Sequence, residues 1–299
     1  MTEAPAPAAR PPAPAGPPPA APSAPRATPS FLSSSLRVFD LSLGQMLWSR
    51  RTVFMALVVG GPVLIALFVR GLDLLGVGAM KVNGAPLGGP SVFGLMVWVF
   101  YLRFTVPVLA LFYGTSLIAD EVDDKTITYL FTRPIQRGAV MAGKYLAYLA
   151  CTIMVVLPSI MLVYFLIVPR GGGSWAATFP ALVKDLGLIS VGLAVYGALF
   201  AFVGARIKRP LVVGLIFLFG WEPAVLVFPG YLKKFTVAFY LQSLVPHAMP
   251  QDGALSMLQA IFREVPSFAT ALAMLVIIGA GFLWLATRVV DRREYVLEQ

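Results

Sequence analysis

Six apolar stretches set the terms for everything else in this chain of 299 residues. Thr52–Val69 runs 18 residues without a charge, and Tyr145–Val168, Leu186–Ala205 and Ser267–Thr287 run 24, 20 and 21. Val92–Ile118 has 27 residues and one charge, Arg103, and Leu211–Gly230 has 20 and one charge, Glu222. A helix crosses the ~30 Å hydrocarbon core in about 20 residues, and only helices or closed barrels satisfy their backbone there. None of the stretches alternates as a barrel strand does. The expected fold is an all-α membrane protein with six transmembrane helices, the first and shortest made irregular by Gly60, Gly61 and Pro62. Composition agrees: 12% of residues are charged, against about 25% in a soluble domain. That excludes a soluble enzyme or a disordered chain. The one cysteine, Cys151, rules out an intrachain disulfide, and the one histidine, His247, argues against a catalytic zinc.

The flanks and loops add organisation. Residues 1–30 hold 11 prolines and 10 alanines, a composition that favours polyproline II or disorder. The tail is thus set apart from a membrane domain spanning 31–299, and it lacks the layout of a signal peptide. Leu36 to Arg50 mixes apolar Leu36, Val38, Phe39, Leu43, Met46 and Leu47 with Arg37, Asp40, Gln45 and Arg50, which suits an amphipathic helix in the interface. With the tail set aside, 13 Lys and Arg flank the spans on one side and seven on the other. The positive-inside rule puts both termini in the cytoplasm. In a membrane protein the net charge of +9 is read as orientation before nucleic acid, and no nucleic-acid partner is expected. On the far side, Phe235 to Leu244 and Ala254 to Phe262 suggest short helices packed at the outer mouth.

The cytoplasmic loop Ala119–Gly143 carries the most chemistry. Asp120, Glu121, Asp123 and Asp124 cluster at its start, where acidic groups complement a helix dipole. Val122, Thr126, Tyr129 and Leu130 recur at three- and four-residue steps, and Pro134 ends the element. These features predict a short amphipathic helix at the membrane surface, at about 120–131. Gly114, Glu121, Thr126-Ile127-Thr128-Tyr129-Leu130, Arg133-Pro134-Ile135, Arg137 and Gly143-Lys144 resemble the signature of ABC-2-type permeases, the membrane subunits of ABC exporters. Lys125 stands where many members have Gly, and Thr128 where many have Glu. Trp221-Glu222, Pro229-Gly230, Thr236-Val237 and Tyr240-Leu241 resemble the fifth span and outer loop of one branch of that family.

The resemblance spans about residues 36–293 and implies an arrangement. The interfacial segment is similar to the family's elbow helix. The loop after span two is similar to its coupling helix, which sits in a cleft of an ABC ATPase subunit. Glu121, Tyr129, Leu130, Pro134 and Arg137 are then the expected coupling surface. Two permeases, identical or different, and two ATPase subunits make the transporter. ATP and magnesium belong to the ATPase, and no cofactor is expected on this chain. Such a subunit is a transport component, not an enzyme, and the six spans suit a bacterial inner membrane. The alternatives are a scaffold or signalling subunit partnered with an ATPase, and an ion-coupled secondary transporter.

Arg103 and Glu222 lie near the middle of their spans, where a charge costs at least about 2.5–3.5 kcal/mol on insertion scales. They could pair with each other, line a substrate path, or meet backbone carbonyls at a kink beside Pro223. Other motifs are decoys. Gly138 to Lys144 fits G-x-x-x-x-G-K, but Tyr145 follows where a phosphate loop needs Ser or Thr. Ser116 and His247 fall on opposite faces, too far apart to act as nucleophile and base. The five tryptophans make no binding box: Trp48 and Trp175 fit interfacial belts, and Trp98, Trp221 and Trp284 are expected to be packing residues.

Overall fold

The computed structural model describes residues 30–47, 50–76, 81–82, 85–86, 88–123, 137–227, 231–245 and 266–292. Helix α1 is Phe31–Leu47 and α2 is Arg50–Leu74. A minimal antiparallel ladder follows, β1 (Lys81–Val82) on β2 (Ala85–Pro86), with Lys81 opposite Pro86. The second span is assembled from α3 (Gly89–Met96), a π-helical stretch (Val97–Thr105) and α4 (Val106–Asp123). Helices α5 (Arg137–Ile167) and α6 (Trp175–Arg206) are joined through a 3-10 turn at Arg170–Gly172. Gly171 and Gly172 take φ of 65° and 82° there, which side chains with a Cβ resist. Next come α7 (Pro210–Ile216), a second π stretch (Phe217–Trp221) and α8 (Glu222–Val227). A 3-10 turn (Tyr231–Phe235), α9 (Val237–Ser243) and α10 (Phe268–Arg292) complete the described chain.

Among the described residues, five helices are long and apolar enough to cross a membrane: Thr52–Leu74, Gly89–Ile118, Gly138–Ile167, Trp175–Arg206 and Phe268–Arg292. The stretch expected as a further crossing, Leu211–Gly230, is helical, but its apolar helix Pro210–Val225 is shorter than the others. Pro210 begins the helix after a non-helical Arg209, a π turn lies in its middle, and the described stretch stops at Val227. The interfacial segment is helical from Phe31, five residues earlier than expected, and Gly44 does not break it. Of the two outer apolar pieces, Phe235 to Leu244 contains α9. Ala254 to Phe262 lies outside the described residues, as do residues 1–29 and Trp48.

Small residues decide which helices meet. The largest contact joins α4 to α6. A Cβ built on Gly114 would stand 3.0 Å from Phe200 Cβ and 3.1 Å from the Gly197 carbonyl. One on Gly204 would strike the Thr115 backbone, and one on Gly197 would strike the Tyr148 ring. With no hydrophobic drive between helices in lipid, such close approach supplies the packing. Tyrosines then fix the register. Tyr145 and Tyr148 of α5 donate to the Ala194 and Leu193 carbonyls of α6 at 2.7 and 2.9 Å. Tyr101 of the second span meets Ser159 of α5 at 2.9 Å.

The two ends of the bundle are distinct. At one, Arg170 Nε lies 2.7 Å from Asp73 Oδ2, tying the end of α5 to the end of α2, and Gly89 sits under the Ile167 and Val168 carbonyls. At the other, Gly138 faces the Asp291 carboxylate and the Phe31 ring, and Gly143 faces Ser35 and Val38. Here α1 lies along α5. Its inward face is Ser34, Ser35 and Ser42, all buried, while Leu32, Leu36 and Leu41 are exposed. Small hydroxyl residues toward the protein and leucines outward are what a helix bordered by lipid requires. The G-x-x-x-x-G-K segment lies on α5 as continuous helix, so it forms no phosphate-cradling loop.

Candidate functional site

The two membrane-depth charges both sit on π turns. In the second span the Val106 amide bonds to the Tyr101 carbonyl, five residues back, and at α8 the Glu222 amide bonds to the Phe217 carbonyl. A π turn holds one residue more than an α turn, so it rotates every following side chain by about 100°. Such turns are frequent at functional positions.

Glu222 is 4% exposed. The Tyr196 hydroxyl of α6 lies 2.8 and 2.7 Å from its two carboxylate oxygens and donates to them. The Ala238 amide of α9 adds a longer bond, 3.4 Å, to Oε1. Tyr196 stacks on Phe200, which meets Phe217 edge-on. One carboxylate thereby joins α6, α8 and α9, and α9 in turn packs against α6, α10 and the π stretch of the second span.

Arg103 is exposed. Its guanidinium carbon stands 5.2 Å from the centroid of Trp98, one turn earlier on the same helix. No ion pair joins Arg103 to Glu222 among the described residues. The direct pairing that the sequence allowed is therefore absent, and tyrosine takes that role. Two buried polar atoms of the same π stretch, Trp98 Nε1 and Thr105 Oγ1, have no hydrogen-bond partner among the described residues. Thr115 and Thr152, on regular helix, bond the carbonyl four residues back at 2.6 and 2.9 Å. The π register moves that carbonyl away from Thr105.

Of the expected coupling residues, Glu121 lies in the last turn of α4 and Arg137 is the first residue of α5. Tyr129, Leu130 and Pro134 lie outside the described residues. So does His247, while Ser116 bonds only locally, to the Tyr113 carbonyl at 2.9 Å. Sequence reasoning missed Tyr196. A hydroxyl-bearing aromatic inside an otherwise apolar span was the available signal. That reasoning read Trp221 and Trp284 as packing residues, and in this protomer they are 48% and 54% exposed. Both stand on helices whose outward faces are bare in this protomer.

A family model described as an ABC-2 family transporter protein matches residues 20–294. No curated protein matches the chain.

Proposed function

This chain belongs to the ABC-2 transporter family, and we propose that it is the permease subunit of an ABC-2-type exporter, working on ATP hydrolysed by a separate ATPase subunit. The observation that carries the reading is the family match across residues 20–294. The fold is compatible with it. Helix α4 continues to Asp123, past the end of its span at Ile118, and α5 restarts at Arg137. The coupling helix, at about 120–131, would begin in the last turn of α4, the rest of it lying outside the described residues, with Glu121, Tyr129, Leu130, Pro134 and Arg137 against the ATPase. A push there acts on α4 and α5 as levers, and both grip α6. Close-packed helices move as rigid bodies between discrete arrangements. ATP and magnesium stay on the ATPase.

In this reading α1 is the elbow helix and Pro210–Val227 is a short crossing that completes six. Both termini then lie in the cytoplasm of a bacterial inner membrane. A second permease stands against the exposed face that carries Arg103. A bare guanidinium at mid-span is too costly to leave in lipid, so that face borders a partner or a wet path. Thr105 and Trp98 place two further polar groups on the same stretch.

The test is a mild-detergent pull-down of the tagged chain from its native cells. A stoichiometric ATPase should co-purify and be lost in Glu121→Lys combined with Tyr129→Ala. Undiminished ATPase in that variant would sink the coupling surface. An ATPase-free protein, reproducible in nanodiscs, would sink the exporter reading and favour an ion-coupled transporter.

A further inference from the structure

We infer that the ends of α6 and α10 form a binding site for the phosphate of an anionic phospholipid. The inference does not depend on transport. A cavity of about 380 Å³ lies between the two helices, lined by Arg206, Trp284, Leu285, Arg288, Val289 and Arg292. Three arginines converge on one opening, with an apolar wall beside them.

Spacing sets the depth. Trp284 stands about 24 Å along α10 from Phe268, and Arg288 and Arg292 stand about 30 and 36 Å along it, at 1.5 Å per residue. Across a hydrocarbon core of ~30 Å, that places Trp284 in the aromatic belt and the arginines among headgroups. Trp284, Arg288 and Arg292 follow at four-residue intervals and share one face. The Arg288 guanidinium carbon lies 4.5 Å from the Trp284 ring centroid, which holds the cation at the mouth instead of letting it extend into water.

Charge identifies the ligand. Like charges four residues apart on a helix repel. No carboxylate pairs with Arg288 or Arg292 among the described residues. The nearest acid on the same helix, Asp291, faces Gly138 at the start of α5. A phosphate is the anion that arginine forks bind best. Exposed Trp284 and Leu285 supply a surface along which acyl chains can lie. Basic pockets between helix ends at a membrane surface bind anionic headgroups on these grounds.

The experiment uses the full chain in detergent, with bound lipid counted by native mass spectrometry during titration. The probes are phosphatidylglycerol, phosphatidylcholine and inorganic phosphate. Phosphatidylglycerol should bind at least tenfold more tightly than phosphatidylcholine. Arg288→Gln with Arg292→Gln should weaken it by roughly tenfold to thirtyfold. Arg288→Lys with Arg292→Lys, which keeps the charge and tests the site should the glutamine pair fail to fold, should weaken it less than the glutamine pair. Lys184→Gln, on an exposed cation remote from the cavity, should leave it unchanged. Wild-type lipid binding in the glutamine pair, or equal binding of the two lipids, overturns the site. Binding of inorganic phosphate as tight as that of phosphatidylglycerol overturns the lipid assignment.

Discussion

Glu222 and Arg103 reach membrane depth by the same device, a π turn, yet their surroundings are opposite. Glu222 is enclosed by groups from two other helices. Among the described residues, Arg103 meets Trp98 of its own helix and keeps an open side. A buried carboxylate is tolerable because its protein donors replace water. An exposed guanidinium is tolerable only if something outside the protomer does the same. The first charge holds one subunit together; the second is directed outside it. The contrast also separates what each substitution should disturb.

The largest loss is expected from Glu222→Ala. It removes the acceptor for Tyr196 and leaves that hydroxyl buried without a partner. The cost is about 2–4 kcal/mol, combining a lost charge-assisted bond with an orphaned donor. Thermal unfolding in detergent measures it, and a wild-type melting temperature would show that the three-helix junction contributes nothing. Tyr196→Phe should cost nearly as much, about 2–3 kcal/mol: the ring still stacks on Phe200, but the buried carboxylate loses its main donor and keeps only the longer Ala238 bond. In a double-mutant cycle the two changes should be strongly non-additive, since each breaks the same bond. Additive losses would mean that the carboxylate is held by something other than Tyr196.

Much of this contrast was beyond the sequence. Span length is a signal of composition, so Thr52 and Ser267 lie at or beside the start of a helix long enough to cross, while Tyr145 falls about two turns inside one that begins at Gly138. Gly114 and Gly143 stood out as signature residues, and their reason is steric: a Cβ on either would press on Phe200 or on Ser35. A π turn, by contrast, is a hydrogen-bond register that no residue type announces. Its effect was therefore invisible in the outward turn of Arg103. Tyr196 and Glu222 stand 26 residues apart and meet because α6 packs against α7, which leads through the π stretch into α8. Arg170 read as one charge in an orientation count, but the reversal after α5 brings it onto Asp73. Of the coupling surface only the helical positions of Glu121 and Arg137 can be compared with expectation, and the residues between them lie outside the described chain.

A smaller effect, of opposite sign, tests the π stretch of the second span. Thr105→Val replaces a buried hydroxyl that has no partner among the described residues with a methyl of similar shape. Removing an unsatisfied group in this way is neutral to stabilising, by up to about 1 kcal/mol. Thr115→Val, whose hydroxyl bonds the Leu111 carbonyl at 2.6 Å, should be the less favourable change of the two. A marked loss at Thr105 alone would mean that its hydroxyl has a partner inside the folded protein.

The smallest change in stability should come from Arg103→Ala. The side chain is exposed and its contact is one cation–π pair with Trp98. At an exposed site that is worth about 0.5–1 kcal/mol, and the isolated protomer should lose no more. What should change is what the face meets. If Arg103 borders a second permease or a wet path, Arg103→Ala should lower assembly or transport while the melting temperature of the dispersed protomer stays within a few degrees. Arg103→Lys should recover part of that loss, because it keeps the charge but not the planar contact with the indole. Glu222→Ala should show the reverse pattern, with the protomer weakened first and function lost only as a consequence. An Arg103→Ala protein that melts as early as Glu222→Ala would mean that both charges serve the same fold, and the division between inward and outward π turns would not stand.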